Sequence, residues 1–364
     1  MRIGIDASRA FVDNPTGTER YSYEVITRLL KLPEAKKHTW ILYVRPQFLI
    51  SNFKFLNNDQ MFKCPNVQIR EIPLSRLWTQ VGLAARTWVD DLDVLWVPAH
   101  TLPVLRKLGI RTVVTVHGLE YEWLPEYENW LQRWYLPLST KYAVMSASRI
   151  IAVSEFTKRQ LVERLGADER KIAVIHEGVT RQRLETSVQR LVKGKYLLFV
   201  GTIQPRKNLV RLIEAFSRLD ARRYTLVIVG KLGWMYDEVV TLAKKHKVVI
   251  TGCINEAERY GLLRNALVYV QPSITEGFGL PVLEAMAAGV PVVSSSGGAL
   301  AEVVGDAGVL FEPYDVNDMS HKLSLVIHSH SLQEELIKKG RERVKQFSWE
   351  KAARETYRIL ISKS

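Results

Sequence analysis

Residues 272–295, PSITEGFGLPVLEAMAAGVPVVSS, constrain the fold more tightly than any other part of the chain. A loop holding Glu276, Gly277 and Gly279 leads to Pro281, an apolar-periodic segment runs to Ala288, Gly289 follows, and a β-branched run starts at Val290. Proline just inside a helix start and glycine just past its end predict a short helix entered from a loop and left for a strand. First-turn N–H groups of such a helix have no partner within it, and the loop glycines let a ligand approach the backbone closely. The stretch is therefore suited to holding an anionic group such as phosphate.

Glu276 and Glu284 stand eight positions apart. At ~1.5 Å rise per helical residue their backbones lie on the order of 10 Å apart. That is too far for two carboxylates sharing a proton, and it suits a long polar ligand gripped at two points. Two solvated glutamates on an ordinary βαβ connection would show the same spacing. Glu-x7-Glu wrapped around Gly-Phe-Gly-Leu-Pro, however, resembles the signature of glycosyltransferase family 4, retaining enzymes of the GT-B fold that use nucleotide sugars. The resemblance implies an α/β chain of two Rossmann-like, doubly wound domains facing across a cleft, with a C-terminal helix crossing back to the first. Residues 1–179 would form the acceptor-binding domain, 180–195 the hinge and 196–347 the domain binding the nucleotide sugar, with the crossover helix at about 348–364 and Trp349 as its anchor.

The rest of the chain repeats the strand, loop and helix order of a parallel sheet. A buried strand, Arg2 to Asp6, opens into a loop with Asn14, Pro15 and Gly17, and an amphipathic helix follows from Glu19. The resemblance sets Gly17 beside the donor or acceptor. Glu19 stands where related sequences often have glycine, and it reads either as facing the acceptor or as a helix N-terminal carboxylate favoured by the helix dipole. Strand-like runs recur at TWILYV, VQIREI, DVLWVP and RTVVTVHG. His117 lies at the carboxyl end of the last of these, where open α/β sheets present functional side chains. The family motif makes it a contact to the sugar, although Gly118 departs from the usual His-Asp. Asp91 and Asp93 have the spacing of a metal pair in another transferase architecture, yet the resemblance is to a metal-free one. Glu177-Gly178-Val179-Thr180 stands where the family often has Asn-Gly-Val-Asp.

In the second half YLLFVG ends at Gly201, and TIQPRKN leads to a helix beginning LVRL. Arg206 and Lys207 precede that helix start, where the dipole disfavours cations, and an anion beside them would remove the conflict. The family resemblance makes that anion the donor diphosphate, with Lys207 touching it and Arg206 taking the charge that Thr202 does not supply. It also implies donor contacts at Gly201, Thr202, Gly230, Cys253, Ile254, Gly277, Phe278, Gly279, Leu280 and Glu284. Catalysis would rest on His117, Glu276, Lys207 and Arg206. Glu276 would hold sugar hydroxyls and Glu284 the ribose.

Two cysteines without metal-ligand spacing predict neither a zinc site nor a disulfide framework. No cofactor or metal is expected. No apolar run approaches the roughly 18 residues of a membrane span, and no signal-peptide pattern opens the chain. A net charge of +13 calls for an anionic partner. It is spread over both halves, which argues against a nucleic-acid stripe. Tryptophans and arginines mixed in SRLWTQVGLAARTW and YEWLPEYENWLQRWYL suit an anionic membrane surface or simple helix packing. The expected protein is a cytoplasmic enzyme, peripheral on the inner face of the membrane. It would move a hexose, mannose from GDP-mannose first and a UDP-hexose next, to a saccharide or a polyprenyl-diphosphate-linked acceptor in surface-polysaccharide assembly. The competing readings are a GT-B sugar-nucleotide epimerase and a basic nucleic-acid-binding module with a degenerate sugar site.

Overall fold

The computed structural model describes residues 1–12, 15–46, 65–74, 76–119, 130–180, 192, 194–219 and 223–362. The chain divides into two compact units, Met1–Gly178 with Trp349–Ser364, and Val179–Ser348. Most of the expected hinge, residues 181–191 and 193, lies outside the described residues, as do 121–129 of the second aromatic segment and Asn14.

The first unit is built on seven parallel strands: β1 (Arg2–Asp6), β2 (Thr39–Val44), β3 (Val67–Glu71), β4 (Val94–Val97), β5 (Arg111–Val116), β6 (Arg149–Ala152) and β7 (Ile172–Val174). Their order is β3-β2-β1-β4-β5-β6-β7. Five of the six residues of β2 and all four of β4 are buried, as expected of strands covered on both faces. Helix α1 (Gly17–Leu30) is followed in this unit by α2 (Ala84–Val89), α3 (Trp130–Ser146) and α4 (Glu155–Leu165). Ser154 caps α4 by accepting the Thr157 N–H at 3.0 Å.

The second unit repeats the plan with six parallel strands: β8 (Lys195–Val200), β9 (Tyr224–Val229), β10 (Val248–Gly252), β11 (Val268–Gln271), β12 (Val292–Ser295) and β13 (Val309–Phe311), in the order β10-β9-β8-β11-β12-β13. The helices between them are α5 (Leu209–Ser217), α6 (Asp237–Lys245), α7 (Glu256–Asn265), α8 (Leu280–Ala288), α9 (Leu300–Val304), α10 (Val316–His328) and α11 (His330–Arg343). Helix α5 buries Leu209, Leu212, Ile213 and Phe216, the spacing of one helix face.

The strand order reverses direction between β1 and β4 in the first sheet and between β8 and β11 in the second. At such a point the loops leaving adjacent strands diverge and open a crevice at the carboxyl edge. The last helix, α12 (Trp349–Ile361), lies in the first unit. It packs on α1 through the Trp349 ring, 6.1 Å from that of Tyr21, and through an Arg28–Glu350 ion pair of 2.7 Å. The Tyr357 hydroxyl donates to the Glu34 carbonyl at 3.1 Å.

Candidate functional site

The loop leaving β11 at the second unit's reversal point carries Glu276, which is only 7% exposed. Four side chains donate to its carboxylate: Lys207 Nζ at 2.5 Å, Ser273 Oγ at 2.6 Å, Arg206 at 2.7 Å and Gln271 Nε2 at 3.0 Å. Burial pushes this carboxyl up, but the Arg206 and Lys207 charges, with the hydrogen bonds from Lys207 and Ser273, outweigh it and hold the group at about 2. The Tyr269 hydroxyl donates to Gln271 Oε1 at 2.6 Å, and the Gln271 amide donates to Ser273 at 2.8 Å, so polar side chains run along one strand face to the carboxylate.

The two cations are set by a turn, Pro205–Lys207, that ends in Asn208 with φ of 58° before α5 begins. Asn208 ties that turn to its neighbours by donating to the carbonyls of Pro272 at 3.1 Å and Pro313 at 2.7 Å. Arg206 grips the β11 loop twice more: its guanidinium donates to the Thr275 carbonyl at 2.6 Å, and its own carbonyl accepts the Ile274 N–H at 2.9 Å. The sequence argument asked for an anion beside Arg206 and Lys207. The anion the fold supplies is the chain's own Glu276, which is the counter-ion of both cations.

Glu284 sits inside α8, which Gly279 opens and Gly289 closes. Arg259 of α7 donates to it, a partnership that sequence spacing alone did not reveal. The Glu284 and Glu276 charges both act on the buried Tyr269 phenol between them, pushing it above its ordinary range after the larger effect of burial. The Phe278 and Leu280 side chains are buried, and the Phe278 ring packs edge-on 5.8 Å from Phe347. Gly230 has a structural reason to be glycine: a Cβ there would lie 2.0 Å from the Gly201 carbonyl oxygen, where the loops leaving β8 and β9 touch. Thr202 follows Gly201 in that loop, and the next residue, Ile203, donates its N–H to the Lys231 carbonyl at 2.9 Å. Gly298, with φ of 67°, covers the β11 loop so closely that a Cβ would meet Glu276 backbone atoms at 2.4 and 2.5 Å. Cys253 is exposed and Ile254 half-buried, just before the Asn255 cap of α7.

In the first unit His117 follows β5 and faces Glu177, whose Oε1 lies 3.0 Å from Nδ1, while Nε2 lies 3.0 Å from the Pro98 carbonyl oxygen. The Tyr21 ring packs edge-on at 4.7 Å. Both ring nitrogens are therefore engaged within this unit, and a sugar contact through His117 requires one of them to exchange partners. His100, in the loop after β4, has a buried Nδ1 without a partner among the described residues. Burial, then the Arg9 and His117 charges, hold it down at about 4. Gly17 is the exposed first residue of α1. Glu19 belongs to the helix start: its Oε2 accepts the Thr16 N–H and hydroxyl, each at 2.7 Å, which favours the capping alternative. Asp91 pairs with Lys107 at 3.0 Å, and Asp93 accepts the Arg2 N–H at 2.7 Å, so each has a structural partner.

No helix among the described residues is long and apolar enough to cross a membrane. The family model described as "Glycosyltransferase Family 4" matches residues 16–183, and "Glycosyl transferases group 1" matches 181–343. O-antigen chain mannosyltransferase B of Escherichia coli is 32% identical over 269 residues, which cover 69% of this chain and 71% of that protein. Among solved structures, WaaG, a glycosyltransferase involved in lipopolysaccharide biosynthesis, superimposes with a TM-score of 0.71 at 15% identity over 100% of both chains. Anabaena HepE in complex with UDP-glucose gives 0.72 at 17% identity over 99% of each. These structures share the two-domain GT-B fold with this chain.

Proposed function

The chain belongs to glycosyltransferase family 4, and from that premise we propose that it transfers a hexose, with retention, from a nucleoside-diphosphate sugar to a saccharide or lipid-linked saccharide. Mannose from GDP-mannose is the first choice, supported by the name of the O-antigen relative, and a UDP-hexose is the second, supported by the UDP-glucose complex of HepE. The observation that carries this reading is the Lys207–Glu276–Arg206 cluster at the β8/β11 reversal point. A diphosphate arriving there is a stronger anion than one carboxylate. Lys207 would swing to it, stabilise the departing charge, and free one Glu276 oxygen for sugar hydroxyls. Arg206, clamped on two sides, would keep the loop in place meanwhile. Glu284 would reach the ribose hydroxyls once Arg259 lets go of one oxygen. None of these steps calls for a metal ion.

The first unit supports a lipid-linked acceptor. Exposed Leu77, Trp88, Val89, Leu105, Leu108 and Leu138 come from three neighbouring segments, with Arg76, Arg86, Arg106 and Lys107 among them. Trp88 Nε1 donates to the Leu105 carbonyl at 3.0 Å, and Gln80 reaches both Leu102 and Tyr135, which joins the three segments. Apolar side chains rimmed by cations suit an anionic bilayer surface in polysaccharide assembly, on the cytoplasmic face where sugar nucleotides are found.

A thermal-shift screen against GDP, UDP and ADP sugars tests the donor, because a ligand bound only by the native state raises its melting temperature. GDP-mannose is expected to give the largest shift, and product analysis with and without acceptor should show transfer and no free epimerised sugar. Equal, negligible shifts for every sugar nucleotide would remove the proposal.

A further inference from the structure

We propose that the first unit carries a second binding site, for a phosphate group, at the sheet edge opposite the loop that holds His117. A cavity of about 340 Å³ opens there, lined by Arg111, Ser148, Arg149, Asp168, Arg170, Lys171 and Ser362. Strand direction fixes its place. Arg111 and Arg149 are the first residues of β5 and β6, and Asp168–Lys171 lead into β7, so these residues sit at the amino ends of parallel strands.

The charges at this cavity do not balance internally. Asp168 is committed to Arg170, accepting Nε at 3.0 Å, NH2 at 2.9 Å and the backbone N–H at 3.0 Å. Arg149 donates to the Arg170 carbonyl at 3.2 Å, which satisfies one N–H, and its charge has no ion-pair partner among the described residues. The Lys171 ammonium has no ion-pair partner among the described residues. Arg111 spends one amino group on the Leu360 carbonyl, while its Nε is buried without an acceptor among the described residues. Burial and then the Arg149 charge destabilise the Arg111 cation, with Asp93 opposing in part. Like charges gathered round a buried, unsatisfied donor are unfavourable until an anion enters.

The chemistry of the donors narrows the ligand. Guanidinium and ammonium groups only donate, and the guanidinium fork matches tetrahedral oxyanions, so the ligand must present several acceptor oxygens and negative charge. A water could satisfy the Arg111 donor but not the charge. A phosphate monoester or diester does both, and it would also bridge the end of α12 to the strand edge through Ser362. It has two sources: soluble phosphate, or the headgroup of a lipid. Position favours the second, because Arg111 follows the loop bearing exposed Leu105 and Leu108, and Arg149 follows the helix bearing exposed Leu138 and Met145.

The test uses the whole chain at constant ionic strength, with Lys171→Glu and Arg149→Gln; Arg111 is left intact because it also holds Leu360. One arm titrates inorganic phosphate against chloride by thermal melting, and the other co-sediments the protein with phosphatidylcholine vesicles with or without phosphatidic acid. Lys207 in the second unit offers another cation, so the readout is the difference between wild type and variants. Each variant is expected to weaken apparent affinity about tenfold or more, the loss of one hydrogen bond to a charged group. Its melting shift with a sugar nucleotide should be unchanged, which separates this site from the donor site. A loss in the phosphate arm alone identifies a soluble ligand, and one in the vesicle arm alone a lipid headgroup. Equal affinity of wild type and both variants in both arms, or no binding in either, overturns the proposal.

Discussion

Glu276 takes four side-chain donors on its two oxygens, and each of them has a different consequence if it is lost. Lys207 brings its charge on a flexible four-carbon stem, whereas Arg206 also holds the Thr275 carbonyl and Gln271 donates to Ser273. Lys207→Ala is therefore expected to lower sugar transfer about 100-fold or more while the melting temperature stays within a few degrees. Initial rates and a melting curve check both parts, and near-wild-type turnover would contradict the role given to it. His117 poses a proton question. The Pro98 carbonyl can only accept, so the Nε2 hydrogen points there, and a further hydrogen must lie on the 3.0 Å line between Nδ1 and Glu177. Glu177→Gln supplies an amide N–H to Nδ1 instead. The expected outcome is a shifted 15N signal for His117 Nδ1, which checks that the two side chains are bonded to each other. Arg206 and Lys207 stood out in the sequence as cations before a helix start, and Glu276 and His117 through the motifs that carry them. Arg259 was not, since nothing local ties it to a glutamate 25 positions later. Gln271 and Ser273 did leave a trace, two polar residues on one face at the end of an apolar strand.

At the level of elements, the strands could be read with little error because sheets covered on both faces demand continuous apolar runs, and TWILYV, RTVVTV and YLLFV all fell where expected. The segment before α5 was harder. It read as a loop with misplaced cations, and its physical solution, a tight turn closed by a left-handed Asn208 pinned to two prolyl carbonyls, depends on residues more than 60 positions away. Loop-on-loop packing was equally invisible. The Gly297–Gly298 turn rests on the backbone of Ile274–Glu276, and the Ala299 N–H donates to the Glu276 carbonyl at 2.8 Å. Gly298→Ala adds a methyl group into occupied space and an L-residue to a left-handed conformation. It should cost about 1–3 kcal/mol and weaken nucleotide-sugar binding together with stability. Chemical denaturation and a binding isotherm on the same variant measure the two effects.

The molecule as a whole should respond to acid in two steps, one for each unit. In the first unit His100 is held at about 4, below the ordinary 6.5, so the unfolded chain takes up the proton first. Stability from this group is present above 6.5 and is lost as pH falls towards 4, by about 1.4 kcal/mol per unit at most. In the second unit Glu276 is held at about 2 against an ordinary 4.5, so its contribution is full above 4.5 and is lost between 4.5 and 2. The first unit should thus weaken before the second on acidification, as hydrogen exchange resolved by unit would record. His100→Gln should flatten the first step and leave the second.

The α12 helix bears on how this polypeptide is made. Some 170 residues of the second unit, Val179–Ser348, lie between the bulk of the first unit and its final helix. A ribosome therefore completes the later unit while the earlier one still lacks a wall, with Tyr21 waiting for Trp349 to emerge. The opening half is therefore the last to be completed, although it is the first to be made.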